Sequence, residues 1–185
     1  AYDIPAKNLT HLFYGFIQNG GSLYISTNAG NSSSGGVGAP NGENGNWITP
    51  LVTNSLGEVY AGYSNLYKLE SGNWTQQNTS FLGIGNIELI TIDPSNDNNI
   101  YISGNGQLLK STDKGVTFQN IFDASITSIA IHSTNSDIIY ITTQGTNGQV
   151  LKSVNGGLDF TSISSGLPSI GKNVIVHQGR NTSNP

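Results

Sequence analysis

A pattern recurs along this chain every 42 positions, and that period restricts the fold more than any other feature. Residues 107–118 read QLLKSTDKGVTF and residues 149–160 read QVLKSVNGGLDF. Two earlier copies are shorter, NLYKLESGNW at 65–74 and SLYISTNAG at 22–30. Lys68, Lys110 and Lys152 stand at equal intervals of 42, and Ile25 takes the matching place 43 positions before Lys68. Tyr60, Tyr101 and Tyr140 supply a second marker, each within a short β-branched run just upstream. A period of about 40–45 residues with four short strands per copy reads as a β-propeller. Helical solenoids of similar period need a 3.6-residue apolar rhythm, and no window of ten or more residues carries one.

The third copy is expected to place strands at 87–92, 99–103, 107–111 and 116–121, and the fourth at 126–131, 138–143, 149–153 and 159–163. These segments are rich in Ile, Val, Tyr and Thr and are bounded by Gly, Asn, Asp and Pro. The expected fold is all-β with essentially no helix. It is a propeller of four-stranded antiparallel blades, about four in number, three complete and one divided. The blades fall near 1–46, 47–84, 85–123 and 124–165, with a further blade starting in 166–185. At the front, residues 1–3 read as the tail of a first strand and FYGFI (13–17) as the second strand of that blade. At the back, NVIVHQ (173–178) matches only a first strand. The arrangement expected is a piece of a larger ring. The alternative is that 173–178 completes the N-terminal blade and closes a four-bladed ring, removing two exposed sheet edges.

The motif S-x-D-x-G-x-x-[WF] is most complete as Ser111, Asp113, Gly115 and Phe118, and it recurs with Asn as Ser153, Asn155, Gly157 and Phe160. It falls between the third and fourth strands, where a tight turn is needed. Asp or Asn can bond the backbone two residues on, and Gly accepts a positive φ. The aromatic then opens the outer strand and can bury its ring between sheets. The first copy, Ser26, Asn28 and Gly30, runs into a Gly/Ser/Asn-rich insert at 31–46, and the second contracts to Ser71-Gly72-Asn73-Trp74. Recurrence with the repeat marks Asp113 as a turn residue rather than a metal ligand or catalytic acid.

Composition closes off several functions. Lys and Arg together number seven in 185 residues, so no basic stripe exists to neutralise a phosphate backbone. No apolar run approaches the ~20 residues that span a bilayer. Cysteine is absent, which excludes disulfides, thiolate metal sites and a cysteine nucleophile. Methionine is absent too, so the chain is expected to be processed or cut from something larger. Low charge, no thiols and abundant Asn, Ser and Thr point to an extracellular bacterial protein.

The motif and several phrases give the chain a family likeness. WITPLV (47–52), EVYAGYSNLYK (58–68), IDPSNDNNIYIS (92–103) and GLPSIGKNVIVHQ (166–178), with the Asp-box turns, resemble the Asp-box (BNR-like) propellers of sortilin-type domains, sialidases and xyloglucanases. The resemblance is closest to propeller segments of large secreted Bacteroidetes proteins, many exported by type IX secretion. Residues 3–17, DIPAKNLTHLFYGFI, also resemble the first strand of β/α-barrel chitinases, but that barrel's DxxDxDxE-like run is absent.

No complete active site is legible. A sialidase clamps a carboxylate with several arginines, and this chain has only Arg180. The carboxyls considered for glycoside hydrolysis, Glu58, Glu88, Asp97 and Asp137, show no spacing that converges two of them. Gly166 to Lys172 fits G-x-x-x-x-G-K, but Asn173 replaces the hydroxyl residue and a strand, not a helix, is expected next. His132 and His177 share the repeat position of Asp93, which suggests turn capping, and His11 has no evident partner. The expected function is a non-catalytic module, without cofactor or metal, facing a polysaccharide or protein ligand or other domains of the same polypeptide. Its candidate contacts are Tyr63, Tyr67 and the loops 18–21, 104–106 and 144–148. The alternatives are a fragment of a glycoside hydrolase, xyloglucanase-like or attached to a chitinase-type enzyme, and a protein-binding propeller of sortilin type.

Overall fold

The structure, a computed structural model, describes residues 13–16, 21–28 and 30–176. Four antiparallel sheets follow one another along the chain, and neighbours in sequence are neighbours in each sheet. The first holds β1 (Phe13–Phe16), β2 (Leu23–Ser26) and β3 (Ser34–Val37). The second holds β4 (Leu51–Thr53), β5 (Val59–Gly62), β6 (Leu66–Glu70) and β7 (Asn73–Gln76). The third holds β8 (Leu89–Ile92), β9 (Ile100–Gly104), β10 (Gln107–Ser111) and β11 (Gln119–Asp123). The fourth holds β12 (Ile126–His132), β13 (Asn135–Thr143), β14 (Val150–Ser153) and β15 (Thr161–Ser162). The helical content among the described residues is one 3₁₀ turn, Pro40–Gly42, and no helix there is long and apolar enough to cross a membrane.

The repeat is visible in the register. Tyr60 faces Lys68, Tyr101 faces Lys110 and Tyr140 faces Lys152 across the second and third strands of their sheets. Tyr14 is in register with Ile25 in the same way, so β1 occupies a second-strand position, and the first sheet has three strands among the described residues. Directly opposed side chains on one sheet face are the unit of sheet stabilisation. Here the lysine ammonium lies 5.5 Å from the Tyr101 ring and 5.6 Å from the Tyr140 ring.

The core lies between the sheets rather than under any one of them. Side chains alternate across a strand, so each central strand serves two neighbours. In β9, Ile100 and Ile102 join Tyr60, Leu66 and Ile90 between the second and third sheets, while Tyr101 joins Ile131, Ile139, Ile141 and Leu151 between the third and fourth. Ala61, Tyr63 and Tyr67 turn the other way, with Ala39, Leu51 and Trp74 packed on them. Tight turns keep strand order local. Asn105 and Gly106, both at positive φ, close the β9–β10 hairpin, the pattern of a type I′ turn. Ser71 and Gly72 do the same for β6–β7, the contracted second copy of the motif.

Two details differ from the sequence reading. The outer strands start later, β11 at Gln119 rather than 116, because residues 112–118 are taken up by the turn. Residues 173–176 form no ladder among the described residues, although a strand was expected there. They lie beside β12, where Ser128 donates to the carbonyl of Ile175 at 3.4 Å and Thr127 to that of Lys172. Residues 1–3 and 177–178 of the divided blade lie outside the described residues.

Candidate functional site

The S-x-D-x-G turns repeat one hydrogen-bond scheme. Ser111 Oγ donates to Asp113 Oδ1 at 2.7 Å and accepts from the amides of Asp113 at 3.2 Å and Gly115 at 2.8 Å. Asp113 then accepts from the Thr117 amide at 2.9 Å and the Thr117 hydroxyl at 2.6 Å. Those bonds from Thr117 are the main reason its carboxyl is held below the ordinary value. The turn demands left-handed backbone at Lys114 (φ 61°) and Gly115 (φ 89°). In the fourth sheet Ser153 bonds Asn155 Oδ1 at 2.9 Å and the Gly157 amide at 2.9 Å, and Asn155 accepts from the Asp159 amide at 3.0 Å. In the first, Ser26 bonds Asn28 Oδ1 at 3.0 Å and the Gly30 amide at 2.9 Å. Asn thus replaces Asp without loss of the acceptor. Phe118 and Phe160 pack against the two inter-sheet clusters.

The candidate carboxylates are dispersed, and Glu58 and Asp97 are committed to turns. Glu58 accepts from Asn54 Nδ2 at 2.6 Å and pairs with Lys68 at 3.3 Å. Burial pushes its carboxyl up, but the Asn54 and Lys68 contacts outweigh burial and hold it low. Asp97 accepts from the Ser55 amide at 3.1 Å and the Ser55 hydroxyl at 2.6 Å, tying the third sheet's first loop to the second's. Both charges act on Tyr60, whose hydroxyl is pushed up to about 12, first by burial and then by Glu58. A general acid for glycoside cleavage needs a raised carboxyl pKa, the opposite of Glu58. Glu88 and Asp137 are exposed.

The histidine prediction has a structural counterpart in a series. Asn54, Asp93 and His132 each end a first strand, and each accepts a hydrogen bond from the amide two residues on: Leu56 at 3.1 Å, Ser95 at 2.9 Å and Thr134 at 3.3 Å. His11, His177 and Arg180 lie outside the described residues. Lys172 of the G-x-x-x-x-G-K match donates to the carbonyls of Pro168 at 2.5 Å and Ile170 at 2.6 Å. Its ammonium is spent on its own loop.

Tyr63 and Tyr67 are fully buried and present no ring face to solvent. They meet edge to face at 5.7 Å, and Tyr63 donates to the carbonyl of Gly21 at 2.5 Å. Tyr67 donates at 2.5 Å to Glu43, which also accepts from the Ser64 amide at 2.8 Å and Asn65 Nδ2 at 3.2 Å. Burial raises the Glu43 carboxyl, and these donors more than offset it. Asn78 extends the network to Asn65 Oδ1 at 2.7 Å. Sequence reasoning missed Glu43. The available signal was that it is the only acidic residue between Asp3 and Glu58.

The large exposed rings stand elsewhere. Phe81 is 88% exposed and Trp47 66% exposed, each on a segment joining one sheet to the next. Phe81 borders a groove of about 260 Å³ that is also lined by Gln107, Phe118 and Asn120 and carries no charged side chain. Of the predicted polar loops, 18–20 lies outside the described residues, while 104–106 and 144–148 are second-to-third-strand turns as expected.

No family model matches the chain, and no curated protein matches it. Solved structures do. An ancestral GH74 enzyme aligns with a TM-score of 0.68 at 17% identity, over 90% of this chain and 25% of that one. The GH74 xyloglucanase of Xanthomonas campestris aligns at 0.58 and 14% identity, over 83% and 28%. The β-propeller domain of Cps50 (Swd1) from Myceliophteria thermophila aligns at 0.64 and 10% identity, over 91% and 60%. At such identities the likeness establishes the fold, a β-propeller. The chain spans about a quarter of the length of the GH74 proteins it matches.

Proposed function

We propose that this chain is a stretch of Asp-box propeller serving as a non-catalytic binding module of a larger secreted or cell-surface protein. Its Ser-x-Asp/Asn-x-Gly turns hold blades together, and its ligand is a neutral polysaccharide. The observation that carries this reading is the contrast between the two kinds of candidate. Asp113, Glu58 and Asp97 are tied into turns by short hydrogen bonds, whereas Phe81 stands open beside the amides Gln107 and Asn120. An exposed ring beside uncharged donors and acceptors suits a sugar ring with hydroxyls at its edge. Low charge and the absence of cysteine support the extracellular assignment.

Affinity electrophoresis through gels containing xyloglucan, mixed-linkage glucan or soluble chitin derivatives tests it. At least one glycan should retard the chain, and Phe81→Ala should weaken retention by about 10–100-fold, the worth of one buried ring. Equal mobility in every gel, or full retention by Phe81→Ala, removes the reading.

The fold likeness to GH74 xyloglucanases favours a second reading, a segment of a glycoside hydrolase whose site is completed by the rest of the protein. In an active parent protein, Glu58→Gln and Glu88→Gln should then abolish hydrolysis. Unchanged rates exclude those positions from the chemistry.

A further inference from the structure

We propose that the glycan site at Phe81 is one half of a longer site, and that a single neutral oligosaccharide runs around the start of β11 into a second groove beside Gln119 and Leu158. This rests on the reading of Phe81 as a sugar contact and adds the size of the ligand.

The second groove lies between the third and fourth sheets and encloses about 300 Å³. Gln119 and Ile121 line it from the third sheet, and Gly156 and Leu158 from the Ser-x-Asn-x-Gly turn of the fourth. It stands on the other side of β11 from the Phe81 groove. Side chains alternate across a strand, so Asn120 faces the first groove while Gln119 and Ile121 face the second. Phe118, the residue before β11 and only half-buried, lines both. The two grooves therefore meet at one ring.

Each groove carries the same two parts. One is an apolar side chain standing in water, Phe81 at 88% and Leu158 at 79% exposure. The other is a glutamine with an unspent amide. Neither Gln107 in the first groove nor Gln119 in the second has a side-chain hydrogen bond among the described residues. Neighbouring polar groups are engaged: Asn78 bonds Asn65, Thr117 bonds Asp113 and Asn120 bonds Asp123. A glutamine amide offers donors and an acceptor side by side, which suits adjacent hydroxyls on a sugar ring.

The lining also argues for an uncharged ligand. No carboxylate borders either groove. Lys110 is the one ionisable side chain in the two linings; its ammonium donates to the Gly156 carbonyl at 2.7 Å and lies 5.5 Å from the Tyr101 ring. Packed sheets stand about 10 Å apart, so grooves on either side of one outer strand call for several sugar units rather than one. Seating one end of such a chain makes the second contact intramolecular, which multiplies the affinity.

Affinity electrophoresis and calorimetry test the two halves separately. In gels of xyloglucan, mixed-linkage glucan or soluble chitin derivatives, a Leu158→Ala/Gln119→Ala variant should lose about tenfold in retention, the worth of a hydrogen bond and a partly covered apolar side chain. In calorimetry with cello- and N-acetylated chito-oligosaccharides, six units should bind at least about tenfold more tightly than two. The double variant should erase that gap without changing the two-unit affinity, whereas Phe81→Ala should weaken both lengths. Both substituted side chains of the double variant are exposed, so its circular dichroism should match the unmodified chain. On the unmodified chain, six units but not two should slow amide hydrogen exchange at 156–158. Full retention by the double variant, alongside loss by Phe81→Ala, overturns the two-groove site and leaves the Phe81 reading standing. Loss in the double variant with none in Phe81→Ala overturns both, as does mobility unchanged by every glycan. Tighter retention by polygalacturonate than by any neutral glycan overturns the neutral ligand.

Discussion

Replacing Gly115 by alanine separates the two demands that the Ser-x-Asp-x-Gly turn makes on its glycine. The first demand is conformational, because φ is +89° there and an L side chain at such a value costs about 1–3 kcal/mol. The second is steric, because the new methyl would lie 2.4 Å from Leu66 Cδ2, inside contact distance, with Ile100 Cδ1 at 3.7 Å behind it. Overpacking of that kind adds about 1–3 kcal/mol. Gly30→Ala is the matched control, since φ is +83° and nothing lies within 4 Å. Gly115→Ala should therefore be less stable than Gly30→Ala by about 1–3 kcal/mol, and its Tm lower by roughly 2–12 °C for a chain of this size. Thermal and urea unfolding followed by circular dichroism measure both. Equal losses in the two variants would refute the claim that the turn is pressed against the preceding blade, leaving glycine as a purely conformational requirement.

Tyr101→Phe should be neutral or stabilising, because the buried Tyr101 hydroxyl has no hydrogen-bond partner among the described residues and its desolvation costs about 1–3 kcal/mol; a large loss in urea unfolding would reveal a partner for it. Ile100→Ala should cost about 2–5 kcal/mol, since its side chain is fully buried between the second and third sheets, and it should broaden or split the unfolding transition if blades uncouple. Glu43 gives a pH signature. Its folded carboxyl lies below the ordinary 4.5, so the unfolded chain takes up the proton first. The stability it contributes is complete above that value and disappears as pH falls through the lower folded one. Glu43→Gln should lose stability at neutral pH and show a shallower acid dependence; parallel curves for the two proteins would rule out the Tyr67–Glu43 contact as a contributor.

How much of this was legible beforehand can be followed residue by residue. The interval joining Lys68, Lys110 and Lys152 prescribed the strand register, because each Tyr–Lys pair sits on opposed positions of two adjacent strands. The Ser, Asp/Asn and Gly spacing of 111–115 and 153–157 prescribed the turns, since the hydrogen bonds made by the Ser and Asp/Asn side chains in them span four residues or fewer. Asp93 and His132 were readable as caps for the same reason, and the structure adds Asn54 to the series. The roles of Tyr63 and Tyr67 were not. Whether a tyrosine on a turn faces solvent depends on what the preceding blade brings over it, here Gly21 and the insert residue Glu43. Phe81 was likewise indistinguishable from a core phenylalanine until the sheets were placed.

Short-range order was thus written in the sequence itself: the repeat, the strands, the turn chemistry and the all-β class follow from periods and from bonds between near neighbours. Only the tertiary structure decided which faces are covered, because the core lies between blades and each side chain's burial depends on residues about 40 positions away. That is why Gly115 and Gly30, alike in sequence and in backbone angle, differ in surroundings, one pressed against Leu66 and the other open.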